Sequence, residues 1–186
     1  MKKKVAIICI LVVLIVTGVG VILNKNISYN AFINKHFSQE FLVKSSRVQK
    51  EIRTEILENV FDIVNLEKQD VKNIQISDET EEQLLKKVWE LEVYIEKVKI
   101  DDLSKADQER FLEFKKNSIE NLKELYRLID EYNEKTIQNK NITSNYYFEL
   151  QRKLTSPIES INGYIIINAN IRMYRNDHLK MYKITL

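Results

Sequence analysis

Apolar residues recur at every third or fourth position along most of this 186-residue chain, which is the spacing of helices with one buried face. The pattern predicts a first helix over about residues 28–66, a second over about 80–98, a third from about 104, and a fourth after a break at 139–144. The predicted buried stripes are Phe37, Phe41, Ser45, Val48, Ile52, Ile56, Val60 and Ile63; Leu84, Val88, Leu91, Ile95 and Val98; Phe111, Ile119, Leu122, Leu125, Ile129 and Tyr132; and Tyr147, Leu150, Leu154, Ile158, Ile161 and Ile165.

Polar residues that favour helix N-termini support two of these starts. Thr80 with Gln83 forms a capping-box pattern before the second helix, and Ser77 is an alternative cap. Ser104 with Asp107 predicts the start of the third helix.

Pro157 is the point at which the fourth stretch is expected to break. Ser156, Pro157 and Glu159 stand at the N-cap, N1 and N3 positions of a helix-start pattern. We therefore expect either one helix kinked at Pro157 or two helices end to end.

No segment reads as strands set apart by turns, and residues 164–167, which could form a short strand, have no partner. With three glycines and one proline, the chain is too poor in turn formers for tight β-hairpins or glycine-rich phosphate loops. The predicted fold class is all-α: an N-terminal single transmembrane helix followed by an antiparallel bundle of three or four long helices, which forms residues 24–186.

The N-terminal segment predicts a membrane anchor. Residues 5–23 carry no charge, and as a helix they would span about 28 Å, close to the hydrocarbon core of a bilayer. The basic flank at residues 1–4 contains Lys2, Lys3 and Lys4, which places the N-terminus in the cytoplasm and the bulk of the chain outside it. A cleaved signal peptide is the alternative, but there is no Ala-x-Ala site and the apolar run continues through Leu23.

The charge balance and the residues capable of chemistry argue against several classes of function. The net charge is only +2, from 29 Lys and Arg against 27 Asp and Glu, which argues against nucleic acid as a partner. Cys9 lies inside the apolar run, so no disulfide within the chain is available. His36 and Glu40 stand one turn apart, but two ligands do not make a structural zinc site, and His178 lies in a different segment. We predict no catalytic residues, no metal and no cofactor.

The tail from about residue 171 is locally basic. Its basic residues face one acid, Asp177, and are interleaved with aromatic and aliphatic residues. Such a terminus can contact an anionic membrane or a partner protein, although a last helical turn with a frayed end would have a similar composition. The candidate contact residues are Arg172, Arg175, Lys180, Lys183, Tyr174 and Tyr182.

Short motifs at both ends resemble the LemA family. The first helix contains Tyr29-Asn30, Val48-Gln49, Arg53, Ile56-Leu57 and Asn59-Val60, similar to the family's Tyr-Asn, Val-Gln, Arg and Leu-Ile-Pro-Asn-Leu-Val pattern. Near the other end stand Tyr147, Leu150-Gln151, Leu154, Asn168, Ile171 and Tyr174, similar to Phe-x-x-Leu-Gln-x-x-Leu and Asn-x-x-Val-x-x-Tyr. The family's Trp-Ser-Gln is replaced by Val43-Lys44-Ser45, and its proline by Glu58.

The resemblance implies an antiparallel, membrane-anchored helical bundle of unassigned activity. Proteins of that family are often drawn with the short N-terminus outside, whereas Lys2, Lys3 and Lys4 favour the opposite orientation, which we retain.

We expect a non-enzymatic interaction or scaffold protein of the bacterial envelope, held in the cell membrane by residues 5–23, with an unknown protein partner and self-association left open. The alternatives are an extracytoplasmic ligand-sensing bundle that works with a separate transducer, and a membrane binder that acts through its basic tail.

Overall fold

The computed structural model describes residues 27–37, 39–66, 75–138, 142–169, 172–176 and 181–185. The helical fold class is confirmed over the described residues between 29 and 168. The elements, in order, are α1 (Tyr29–Phe37), α2 (Glu40–Ile52), a π-helical turn (Arg53–Leu57), α3 (Glu58–Leu66), α4 (Asp78–Glu96), α5 (Lys105–Asp130), α6 (Tyr132–Gln138), α7 (Ser144–Asn168), β1 (Arg172–Asn176) and β2 (Met181–Thr185).

The first predicted helix is one arm built from α1, α2, the π-helical turn and α3. Its described stripe residues, from Phe37 to Val60, are all buried. The π-helical turn widens the helix by one residue, and both Ile56 and Leu57 become buried there. The single helix predicted over residues 28–66 therefore has a break between α1 and α2 and a wider turn before α3.

α4 and α5 begin after polar capping residues, as predicted, but the cap of α4 is Ser77 rather than Thr80. Ser104 Oγ accepts a hydrogen bond from the backbone N–H of Asp107, as predicted. Ser77, not Thr80, caps α4, because its Oγ accepts from the backbone N–H of Thr80 at 3.2 Å. The Thr80 capping box was wrong, since α4 already begins at Asp78.

α7 is one continuous helix that passes through Pro157. It begins at the Thr143 cap, whose side chain accepts from the N–H of Tyr146. Of the two alternatives, the structure therefore has one helix rather than two helices end to end. Leu154 and Ile158, on either side of Pro157, are fully buried. Their packing against the core offsets the hydrogen bond that proline cannot donate.

Four arms close the bundle, namely the α1–α3 arm, α4, α5 and α7. α4 packs on α5, α5 on α7, and α2 on both α4 and α7, which completes a ring of four neighbours. Consecutive arms run antiparallel. We call the end at which the described chain begins, formed by residues 27–29, 102–110 and 164–169, the proximal end; the backbone N–H of Ile27 bonds the carbonyl of Asp102 there at 3.0 Å.

An aromatic cluster fills the core near the proximal end and draws on every arm. Phe37 meets Phe111 and Phe114 at ring distances of 6.0 Å and Tyr94 at 6.1 Å, while Phe114 stacks on Tyr164 at 4.2 Å. Mixed edge and stacked geometries of this kind add to the burial of the rings.

The C-terminal segment differs from the sequence prediction. α7 ends at Asn168, and β1 and β2 then pair antiparallel, with Arg172 opposite Thr185 and Asn176 opposite Met181. The sequence analysis excluded tight hairpins and did not predict this strand pair, whose strands are separated by four residues. Residues 164–167, considered above as a short strand, belong to α7.

The predicted anchor at residues 5–23, its flank at 1–4 and Cys9 lie outside the described residues. Of the helices within the described ranges, none combines the length and the apolar character that a membrane span requires.

The second stripe provides a test of the core. Leu91 is 1 % exposed, so Leu91→Asp places a charge in the core and is expected to destabilise the bundle by about 3–5 kcal/mol. Leu112, on α5, is 49 % exposed, and Leu112→Asp is expected to change stability by no more than about 0.5 kcal/mol. Circular dichroism melting of both variants checks this. Equal melting temperatures would show that the stripe is not core.

Candidate functional site

A groove runs along the outside of the bundle between α4 and α5, with a volume of about 640 Å³. Trp89 and Tyr126 are its aromatic residues, 54 % and 39 % exposed. The lining residues are Asp78, Glu81, Glu82, Leu85, Lys86, Trp89, Glu92, Lys123 and Tyr126. We call this surface the α4–α5 groove.

Helical spacing explains why these aromatic side chains are outside the core. Leu85 and Trp89 are four residues apart and Glu92 follows three later, so they share a face of α4, next to the face of Leu84, Val88 and Leu91. Lys123 and Tyr126 share a face of α5 in the same way. The groove is therefore the valley between the outer faces of two packed helices.

The α4–α5 groove is more acidic than basic, because its lining holds four carboxylates and two ammonium groups. Lys123 Nζ lies 3.5 Å from a carboxylate oxygen of Glu92, across the groove. Asp78, Glu81 and Glu82 come from the first turns of α4, where the helix dipole favours negative charge.

Glu81 lies among other carboxylates at the start of α4. Burial raises the pKa of its side chain above the usual range, and the negative charges of Asp130, Asp78 and Glu134 raise it further. One Glu81 oxygen accepts a hydrogen bond from Asn133 Nδ2 at 3.0 Å. This end of the groove therefore carries crowded negative charge that a cation would relieve.

A second cavity of about 340 Å³ lies between α5 and α7. Amide and hydroxyl groups dominate its polar lining, with Arg110 and Glu113 as the charged members. The lining residues are Arg110, Glu113, Phe114, Asn117, Ser118, Asn121, Ser160, Ile161 and Tyr164.

Beside that cavity, a polar network ties the proximal end together. The hydroxyls of Tyr29 and Tyr164 lie 2.6 Å apart, which joins the start of α1 to α7. Arg110 packs its guanidinium over the Tyr29 ring at 4.3 Å and donates to Asn168 Oδ1 at 2.5 Å. Burial raises the pKa of Tyr29, and the hydrogen bond with Tyr164 adds to the shift, so its phenol stays protonated. The network is a structural clamp on three arms.

The predicted tail contacts fall mainly in the hairpin. Pairing sets Tyr174 opposite Lys183 and Arg175 opposite Tyr182, while Lys180 lies outside the described residues.

His36 lies at the edge of the core, beside the ring of Phe32. Its ring lies 4.6 Å from that of Phe32, and burial lowers its pKa, as does the charge of Lys35. Within the described ranges, no group of three His, Cys, Asp or Glu residues is placed to hold a metal ion. His178 lies outside those ranges.

Sequence reasoning missed the α4–α5 groove. Trp89 and Tyr126 each fall one residue away from a stripe member, Val88 and Leu125, and that offset was the available signal. An aromatic residue just off an apolar stripe faces the valley beside the core rather than the core itself.

Comparison of the chain with protein-family models, with curated proteins and with solved structures finds no match in any of the three. The resemblance to the LemA family thus stays a prediction that rests on the quoted motifs.

The raised pKa of Glu81 predicts a pH-dependent effect of Glu81→Gln. A carboxyl group whose pKa is higher in the folded state lowers stability once it ionises, so the cost is present above the folded pKa and disappears below the usual Glu value of about 4.3. Glutamine keeps the acceptor for Asn133. We expect the variant to melt higher than the wild type at pH 7, by no more than about 2 °C because the side chain is only partly buried.

The difference should shrink as the pH falls toward 4. Asp130→Asn removes the largest charge repulsion on Glu81 and should act in the same direction. A melting difference of constant size from pH 4 to pH 7 would contradict the assignment.

Proposed function

We propose that this chain is a membrane-anchored interaction protein whose α4–α5 groove binds a cationic, partly apolar segment of a partner protein. The observation that carries the proposal is the exposure of Trp89 and Tyr126 inside an acidic groove. Large aromatic side chains usually supply the binding energy of protein interfaces, and here two of them are left uncovered by the bundle.

The charges of the α4–α5 groove specify the partner. Four carboxylates against two lysines favour a segment that carries Lys or Arg, and complementary charge speeds association and excludes acidic competitors. An exposed indole also accepts a cation over its face. Leu85, which lines the groove together with Trp89, offers apolar contact for aliphatic side chains of the same segment.

The membrane anchor is the second part of the proposal. Residues 5–23 would hold the bundle at the bacterial cell membrane, with the bulk of the chain extracytoplasmic, as the charge-free run behind Lys2, Lys3 and Lys4 favours. A LemA-like scaffold role agrees with this arrangement. The α4–α5 groove then lies away from the bilayer, because Tyr126 is about 24 Å along α5 from Arg110 at the proximal end.

Trp89 is the only tryptophan of the chain, so its fluorescence reports the α4–α5 groove directly. Full-length protein in phosphatidylcholine nanodiscs is titrated with a 12-residue peptide of alternating Lys and Leu, and with a Glu and Leu peptide as control. We expect a blue shift of the Trp89 emission with the cationic peptide only, because binding covers an exposed indole.

Tyr126→Ala should weaken that binding roughly tenfold, as truncation of an interface aromatic does. Glu82→Lys should weaken it as well, whereas Glu109→Lys, an equal charge reversal on an exposed residue outside the groove lining, should not. Equal shifts with both peptides, or none with either, would contradict the proposal.

A ligand-sensing bundle is the second candidate, and the cavity between α5 and α7 favours it. That cavity presents Asn117, Asn121 and Ser160, which can donate and accept hydrogen bonds to a small polar ligand. Such a protein would pass its signal to a separate transducer.

A thermal-shift screen tests the sensing candidate with full-length protein and a panel of amino acids and sugars. A true ligand should raise the melting temperature by about 2–4 °C at a hundredfold excess over its dissociation constant. Asn121→Ala should reduce the shift, while Asn145→Ala, outside the cavity lining, should leave it unchanged. A shift that survives Asn121→Ala would place the ligand elsewhere.

A further inference from the structure

The polar side chains that line the cavity between α5 and α7, here called the α5–α7 cavity, are largely unused by the fold. Ser118 is 2 % exposed, and its hydroxyl forms no hydrogen bond with any described residue. A buried hydroxyl without a partner is unfavourable, so a ligand group that bonds it stabilises the protein. The side chains of Asn117, Asn121 and Ser160 also bond no described residue, although each can donate and accept.

Arg110 is held beside this cavity without a carboxylate partner. Its guanidinium packs on the Tyr29 ring at 4.3 Å and donates one hydrogen bond to Asn168 Oδ1 at 2.5 Å. Asn168 is fixed in turn, because its Nδ2 donates to the carbonyl of Tyr164 at 2.8 Å. Among the described residues, no Asp or Glu forms an ion pair with Arg110, so its remaining N–H donors can bind a carboxylate.

Glu113 places a negative charge one helical turn along α5 from Arg110. Residues three apart share a helix face, with Cβ atoms about 5–6 Å apart. The two side chains nevertheless form no ion pair with each other, and Glu113 pairs with no other residue of the described ranges. A ligand with both a carboxylate and an ammonium group satisfies both side chains through charge-assisted hydrogen bonds. A free α-amino acid carries these two groups on one carbon atom.

The residues beyond Glu113 specify the side chain of that amino acid. Asn117 stands four residues further along α5, about 6 Å along the helix axis, and Ser118 and Asn121 follow. This step is roughly the length of a glutamine side chain. Because these lining residues are neutral, a ligand carboxylate would have no opposite charge there, whereas a carboxamide would meet both donors and acceptors.

The volume of the α5–α7 cavity, about 340 Å³, suits a ligand of this size, because it is at the lower end of the range for small-molecule sites. Phe114 and Ile161, 6 % and 2 % exposed, give it apolar surface that the methylene groups of a ligand can cover. Arg110 and Glu113 are exposed. The charged end of the ligand therefore faces solvent, and its side chain contacts the more buried lining.

We infer that the α5–α7 cavity binds a free α-amino acid with a neutral carboxamide side chain, as in glutamine. The ligand carboxylate binds Arg110, and its ammonium group binds Glu113. Its carboxamide bonds Asn117 and Ser118. The inference rests on the ligand-sensing candidate, whose ligand class it names, and it is independent of the proposed groove partner.

A purely structural role accounts for only part of this arrangement. Arg110 also belongs to the clamp on Tyr29 and Asn168, which stabilises the fold by itself. Glu113 and Ser118 take no part in that clamp. The clamp fixes the orientation of a guanidinium that a ligand can then use, and this reduces the entropy that binding costs.

The test is isothermal titration calorimetry of the full-length protein in a mild detergent, with three matched probes. L-Glutamine has all the groups, glutaramic acid lacks the α-ammonium group, and 4-aminobutanamide lacks the carboxylate. We expect L-glutamine to bind about tenfold more tightly than either analogue, because each analogue leaves one charged side chain without its partner. L-Glutamate should bind more weakly than L-glutamine by a similar factor.

Glu113→Gln should weaken L-glutamine binding about tenfold and leave the affinity for glutaramic acid no lower than in the wild type. The fold should tolerate this change, because Glu113 contacts no described polar partner. Ser118→Ala should weaken L-glutamine binding about fivefold. Glu109→Gln is the matched control, since it makes the same change at an exposed residue of α5 outside the cavity lining, and it should bind like the wild type.

Two results would overturn the inference: equal affinity of the wild type for L-glutamine and both analogues, or unchanged L-glutamine binding by Glu113→Gln. The failure of the sensing candidate is recognised separately. If L-glutamine does not bind but a sugar raises the melting temperature and Asn121→Ala removes that shift, the inference fails and the sensing candidate stands. If neither L-glutamine nor any compound of the panel binds, both are rejected.

Discussion

The aromatic cluster near the proximal end is the contact on which the other features depend. Phe37, Tyr94, Phe114 and Tyr164 come from the four arms, and their rings meet at distances of 4.2–6.1 Å. Because interiors are close-packed, four interlocked rings fix how each helix is rotated about its axis. That rotation turns Trp89 and Tyr126 outward, and it brings the start of α1 beside the end of α7.

Much of the core could be predicted from the sequence, because each arm repeats apolar residues at the helical period. Phe41, Ile52, Leu122 and Ile161 were all placed correctly by spacing alone. Leu57 was not predicted to be buried. The π-helical turn adds one residue to the helical repeat there, and a regular spacing of three or four residues does not anticipate that. Phe114 was left out of the predicted stripe although it stands three residues after Phe111 and four before Ser118, so the helical period alone would have placed it.

Local sequence patterns predicted the structure less reliably where one pattern is compatible with two structures. Ser156-Pro157 has the composition of a helix start, yet the buried residues before and after it keep α7 in one piece. The pairing of β1 with β2 was not predicted from the sequence. Arg172–Asn176 and Met181–Thr185 are short, and strand pairing is a contact between segments that neither reveals alone. The α4–α5 groove could not be predicted from the sequence either, because its width depends on how α4 and α5 pack against each other.

The resemblance to the LemA family rests in part on residues that pack inside the bundle, so it bears on the fold more than on the function. Tyr29, Val48, Ile56, Leu154 and Asn168 are buried, so packing within the bundle accounts for their identities, whereas Asn30 and Arg53 are exposed. A partner or a membrane can contact only what the bundle leaves outside. Among the described residues, these outside surfaces include the acidic aromatic groove along α4 and α5 and the exposed Phe61 and Phe148 on α3 and α7.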